Sequence, residues 1–263
     1  MKVSNSLAMR QARRFNQQGL TLIELLVVLM ILIALAGILI PQLPNMLLRA
    51  HAASGATSIK ETNKAIQHFE QLYFKTPSGF DNLATTAAVL PDYLPTDGGG
   101  VAGGSITAGA LNAGEIAALV AAGITEVAQL QPTTVLLAGE SPTFNPYDAG
   151  SIATPGYAAI AAEAVVETLV RSDIGVGDRY VIFGIGNRSE MLGKSMSDAG
   201  SDFIDGATGN AGDSYRRFGA IYKIANDTVA LDTAVFVGTV AIHDDGLVTP
   251  GMESAEFYNA IQE

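Results

Sequence analysis

Few side chains in this sequence have types and spacing suited to chemistry. The most unusual is Glu24, the one ionisable group in the 21-residue apolar run Leu20 to Ile40. An acid in such a run costs roughly 2.5 to 3.5 kcal/mol at the centre of a bilayer and less near an end, so its retention points to a role. Gly98, Gly100 and Gly103 satisfy the spacing G-x-G-x-x-G, but Pro95 precedes them and no helix-forming stretch follows, so the dinucleotide-cradle reading lacks its context. Gly193-Lys194-Ser195 ends like a phosphate-binding loop, yet Arg188 stands where its first glycine is required. His51, His68 and His243 are far apart, and no G-x-S-x-G occurs. Asp198, Asp202, Asp205 and Asp213 crowd a glycine-containing stretch, and Asp244-Asp245-Gly246 makes an acidic turn. Hard oxygen ligands of this kind suit calcium, but Arg216 occupies the twelfth position counted from Asp205, where an EF-hand needs Glu. Solvated turns are the plainer reading, and calcium is the one cofactor the sequence leaves open. The chain is read as a non-enzyme.

Composition narrows the classes further. Among 263 residues, 15 Lys+Arg face 26 Asp+Glu, a formal net charge of −11, so the basic field that a nucleic-acid binder needs is missing. The absence of Cys excludes disulfides, thiolate metal sites and a cysteine nucleophile. The charge is unevenly placed. Lys2, Arg10, Arg13 and Arg14 lie before residue 20 with no acid among them, while everything after is strongly acidic. As a helix the run Leu20 to Ile40 spans about 31 Å, close to the hydrocarbon thickness of a bilayer. The positive-inside rule then places the leader in the cytoplasm and the acidic body across the membrane. A conventional secretory signal is the competing reading, with Ala34-Leu35-Ala36 as its cleavage site, although Ile38, Leu39 and Ile40 continue the apolar run beyond it. A plain anchor is the other, and it leaves Glu24 unexplained.

The stretch Gly19-Leu20-Thr21-Leu22-Ile23-Glu24 resembles the type III signal of type IV pilins and of type II secretion pseudopilins: a short basic leader ending in Gly, then an apolar helix whose fifth residue is Glu. The resemblance implies cleavage between Gly19 and Leu20 by a prepilin peptidase, methylation of the new amine at Leu20, and Glu24 as the subunit-assembly residue that pairs with a neighbour's amine. Leu20 departs from the Phe usual at that place. Pro41 falls where the family commonly has a proline, and with Pro44 it is read as a helix kink, because proline lacks the N–H and crowds the preceding turn. The stretch Tyr73 to Leu83 also resembles the segment after the long helix in major pseudopilins. The implied partners are further copies of the chain in a helical homopolymer, the peptidase, an inner-membrane assembly platform, and lipid before assembly. Pseudopilin comes first, surface pilin second, and a secreted enzyme with a conventional signal third. The implied location is the inner membrane, single-pass, with the head periplasmic or extracellular.

The remaining organisation follows from periodicity. Leu43, Leu47, Ala50, Ile59, Ile66, Phe69 and Tyr73 recur at helical spacing, so an amphipathic helix runs over 41–76 until Thr76-Pro77-Ser78-Gly79 stops it. A head spans 77–263. The glycine-rich stretch 97–110 reads as a loop, Leu111 to Gly123 as a helix capped by Asn112, Ile124 to Leu130 as extended, 131–157 as irregular because of its prolines, and Ala158 to Arg171 as helical. Arg179 to Ile185, Phe218 to Ile224 and Thr233 to Ile242 are rich in β-branched and aromatic residues and read as antiparallel strands. The expected fold class is α+β: a leader over 1–19, an apolar helix over 20–40, and an amphipathic helix packed on an antiparallel sheet. No internal repeat is visible.

Overall fold

The computed structural model describes residues 21–40, 43–84, 90, 94, 106–130, 144–147, 156–170, 174–175, 177–200, 215, 217–227, 229–243 and 246–255. The chain divides into two compact units, Met1–Pro44 and Asn45–Glu263. The first holds helix α1 (Leu22–Leu39), which is long and apolar enough to cross a membrane and has no buried side chain. A second helix, α2 (Leu43–Tyr73), starts next to Pro44, whose missing N–H costs nothing in a first turn that has no partner for it. Pro41 lies outside the described residues.

The second unit is built on strands β1 (Phe80–Asn82), β2 (Ile106–Leu111), β3 (Val127–Leu130), β4 (Phe144–Tyr147), β5 (Gly156–Ala161), β6 (Arg179–Gly184), β7 (Phe218–Asn226), β8 (Val229–His243) and β9 (Gly246–Val248), with helices α3 (Ala113–Ala122) and α4 (Glu163–Val170). The order across the sheet is β4-β3-β1-β6-β7-β8-β9, and every pairing is antiparallel except β1 with β3. The sheet forks at β6. Its Phe183 and Gly184 pair with β1, while Val181 and Ile182 pair with β5, which carries β2 on its far side. Asn82 ties the two branches together by donating from Nδ2 to the Tyr157 carbonyl at 3.0 Å.

Alternation along the central strands creates two cores. Val181, Phe183, Ala220, Tyr222 and Ile224 point to one face, where they meet Ile59, Ile66 and Phe69 of α2 and Ile116 and Leu119 of α3. Tyr180, Ile182, Ile221, Val240 and Ile242 point to the other, where Val165, Val166 and Leu169 of α4 cover them. Helices on both faces explain why β6 and β7 read as nearly unbroken apolar runs. The fold is α+β, an apolar N-terminal helix and a helix-covered, largely antiparallel head. Leu43 and Leu47, though in phase with the buried stripe, are 49% and 57% exposed, so the core face of α2 begins at Ala52.

Local chemistry sets the boundaries. Asn112 caps α3 by accepting from the Glu115 N–H at 2.9 Å, and Glu115 returns a bond to the Asn112 N–H at 2.8 Å, a reciprocal capping box. The same Glu115, 1% exposed, takes an ion pair from Arg179 at 2.6 Å. Gly123 ends α3 at φ 115°, and a Cβ there would strike the Thr76 carbonyl. Thr76 accordingly donates both N–H and hydroxyl to the Ala122 carbonyl, at 2.8 and 2.7 Å. Three stretches differ from the sequence reading. Residues 106–110 of the glycine-rich run are strand β2, residues 156–161 are strand β5 rather than the start of a helix, and β4 lies within the proline-containing 131–157 stretch. Although no repeat is visible in sequence, β2–α3 and β5–α4 share one strand-then-helix order, and their helices cover opposite faces.

Asp81 is the one fully buried carboxylate of the central strands that lacks an ion pair among the described residues. Its Oδ2 accepts from the Tyr215 hydroxyl at 2.7 Å, Oδ1 has no partner among the described residues, and Gly186 leaves the space the carboxylate fills. Burial pushes its pKa from 3.8 up to about 7, against the Tyr215 hydrogen bond and the charges of Arg217 and Arg188, which pull it down. Because the folded state holds this proton more tightly than the unfolded chain, stability falls as pH rises from about 4 to about 7. Asp81→Asn keeps an acceptor for Tyr215 without that penalty. Its Tm relative to the unmodified protein should therefore rise between pH 5 and pH 8, by an amount equivalent to a few kcal/mol; thermal melts across that range measure it, and a constant difference refutes the assignment.

Candidate functional site

The apolar sequence of α1 leaves one polar group to arrange, and its first turn does so. Thr21 is the N-cap, with φ −67° and ψ 153°. Its hydroxyl accepts from the Glu24 N–H at 3.3 Å. The Glu24 Oε2 in turn accepts from the Thr21 N–H at 2.8 Å and from the Thr21 hydroxyl at 2.9 Å. This is a capping box, in which N-cap and N3 satisfy each other's orphan donors. The acid also lies at the positive end of the helix dipole, where an anion is favoured. Both Thr21 bonds to the carboxylate fall on Oε2, and Oε1 takes no part in the capping box.

Of the residues singled out in the sequence, Glu24 is thus resolved in a specific geometry, and Pro44 stands in the first turn of α2. Gly19, Leu20 and Pro41 lie outside the described residues, as do the basic leader and Gly98, Gly100 and Gly103. The capping role of Thr21 was missed in the sequence reading, although Thr-x-x-Glu ahead of an apolar run is its signature. Asp202, Asp205, Asp213, Asp244 and Asp245 are also outside, and among the described residues no three His, Asp or Glu side chains gather as metal ligands. Lys194 of the phosphate-loop-like tripeptide is committed elsewhere. It pairs with Glu190 at 3.0 Å and lies over the rings of Phe69 and Tyr73, 5.5 and 4.9 Å from their centroids. His51 and His68 stand on α2 and His243 on β8, in separate elements.

Comparison with known proteins bears on this same helix. Residues 14–40 match the family model described as the prokaryotic N-terminal methylation motif. The N-terminus carries a prepilin-type signal. The match brackets the capping box and all of α1, and it stops at Ile40, before the head. Such a motif supports a type IV pilin-like filament subunit that a prepilin peptidase processes, a structural role, and among the described residues α1 is the helix long and apolar enough to anchor it in a membrane. No curated protein and no solved structure matches the chain.

The cap makes a local prediction. Thr21→Val keeps the side-chain shape but removes the hydroxyl, which costs about 1 kcal/mol at an N-cap. In micelles, the Glu24 amide of that variant should exchange with solvent about fivefold faster, while amides in the middle of α1 are unchanged. Equal exchange at Glu24 would show that the Thr21 hydroxyl does not hold the turn.

Proposed function

We infer that the chain is a pseudopilin-type precursor, cut between Gly19 and Leu20, methylated at Leu20 and polymerised through the helix 20–40 into a short filament that serves type II protein secretion. The observation that carries the reading is the methylation motif over residues 14–40, with Glu24 inside it. Cleavage would create a cationic amine at Leu20. The Oε1 of Glu24, outside the capping box, offers such an amine a bond, so correctly stepped neighbours bury a neutralised pair and misregistered ones bury a lone charge. Register, more than stability, is what the acid supplies.

Two features favour secretion over a surface pilus. The chain has no Cys with which to close a C-terminal disulfide loop, and Tyr73 to Leu83 resembles the corresponding pseudopilin segment. That segment passes from the end of α2 into β1 at the middle of the sheet. The asymmetry of charge favours a cytoplasmic leader and a periplasmic head.

Shearing of producing cells tests the reading. Retention in the membrane fraction, with loss of exported enzymes on gene deletion, is the expected result; abundant long surface filaments would instead make it a pilin. The mature mass should correspond to a start at Leu20 plus one methyl, and a start at Gly37 would replace the whole scheme with conventional signal cleavage. Glu24→Ala should stay in the membrane but fail to assemble.

A further inference from the structure

Strand β1 is a short joint in the sheet. It carries the β3–β4 arm on one side, and on the other it meets β6 at Asp81–Gly184 and Asn82–Phe183. By contrast, β6 pairs with β7 along its whole length, from Arg179 to Gly184. Side chains reinforce the joint. Phe80 stacks on Phe183 with centroids 6.1 Å apart, Asn82 reaches the Tyr157 carbonyl of β5, and Asp81 takes the Tyr215 hydroxyl at 2.7 Å.

The Asp81–Tyr215 contact is built into the backbone around it. Phe80 belongs to the core under α2, so alternation turns Asp81 to the opposite face, where Tyr215 packs. Glycines make the room: a Cβ on Gly184 would strike the Tyr215 hydroxyl, and one on Gly186 the Asp81 carboxylate. Asp81 and Tyr215 are 0% and 1% exposed, and Oδ1 has no partner among the described residues. A dry carboxyl with one oxygen unpartnered is tolerated when neutral and costly when ionised, so burial pushes it up to about 7.

The charged groups around it are otherwise engaged. Arg217, bonded to Asn187 at 3.1 Å, and Arg188 act on Asp81 as fixed cations. Glu190, bonded to Ser78 just before β1, is raised by burial but lowered further by Lys75 and Lys194, so it stays ionised. Tyr157 of β5 meets the joint through its carbonyl, Glu126 beside β3 and Glu163 and Glu167 of α4 are exposed, and Asp178 pairs with Lys223 at the far end of β6. His51 and His68 belong to α2, whose buried face lies in the other core, and His243 belongs to β8, two strands beyond β6.

We propose that Asp81 and Tyr215 form a proton-controlled clasp: it holds β1 to β6 while the carboxyl is neutral and lets that joint open when the carboxyl ionises, so the pH of the medium sets how firmly the β3–β4 arm is fixed to the head. Opening brings water to the carboxylate at the expense of two backbone pairings. The closed joint binds the proton more tightly than the open one, so the opening constant rises about tenfold per pH unit from about 4 to about 7 and levels off beyond.

Hydrogen exchange of the full-length chain in detergent micelles, with intrinsic rates divided out, tests the clasp. Amides of β1 and β3 should exchange through openings that low urea does not promote, whereas Ile221 and Tyr222 in β7 should follow global unfolding and speed up with urea. From pH 4 to 7 the protection of β1 and β3 should fall about tenfold per unit, and Asp81→Asn should abolish that fall. Tyr215→Phe removes a bond that favours the carboxylate, so the fall should continue to higher pH before it levels. A hydroxyl that merely filled space would change the protection but not the pH at which it levels. If Tyr215→Phe does not fold, Arg217→Gln should move the levelling point in the same direction, because it removes a charge that favours the same anion. Amides of β1 and β3 that share the urea response of β7 would leave Asp81 a group that stabilises the whole head and overturn the clasp. A pH dependence that survives Asp81→Asn, or a levelling point that neither other variant moves, overturns it as well.

Discussion

A helix of 18 residues with no buried side chain must find an apolar environment outside its own chain. Water cannot supply one, because each exposed Leu, Ile or Val would forgo roughly 1.5 to 3 kcal/mol of burial. Hydrocarbon and other copies of the same helix are the two solvents that can, and they are interchangeable: lipid is as apolar as Leu, so moving from one to the other costs little. Against that even background, Glu24 is the one polar side chain that α1 has to satisfy. The cap formed by Thr21 satisfies Glu24 through Oε2 in either environment.

The head obeys a different constraint. Its central strands are buried on both faces, so it needs helices on each side, and the chain supplies them from α2 and from two strand–helix units, β2–α3 and β5–α4, whose strands pair with each other on one branch at β6. α2 and α3 share one core and α4 closes the other. A second helical layer, more than a wider sheet, accounts for the bulk of this head. The cost is polar groups at the fork: Asp81 accepts a hydrogen bond from Tyr215 and feels the charges of Arg217 and Arg188, and Asn82 bridges the branches.

The sequence made some of this legible and hid the rest for identifiable reasons. α1 announced itself by an unbroken apolar run, α3 by Asn112 and Gly123 at its ends, and β6, β7 and β8 by dense Val, Ile, Tyr and Phe. β2 and β5 were hidden because Ile-Thr-Ala-Gly-Ala-Leu and Gly-Tyr-Ala-Ala-Ile-Ala lack β-branched density; local propensity favours helix or loop, and pairing with each other and with β6 overrides it. β4 escaped because Pro146 argues against a strand, yet β4 is an edge strand, where a missing N–H is tolerated. Of the capped first turn of α1, Glu24 was legible as an acid out of place. Its partner Thr21 was legible only through the Thr-x-x-Glu spacing, which marks a cap but does not show the reciprocal bonds that the geometry shows.

One long-range bond has a consequence for how the chain is made. Thr239 of β8 donates to the Ile59 carbonyl of α2 at 2.8 Å, across 180 residues. The covering of α2 around Ile59 is therefore incomplete during synthesis until β8 has emerged and paired with β7. Closing so long a loop is slow, and topologies dominated by such pairings fold on the millisecond to second scale. In that interval the nascent head exposes a sticky helix beside a finished hydrophobic anchor. Its correct maturation is a matter of timing as well as of equilibrium.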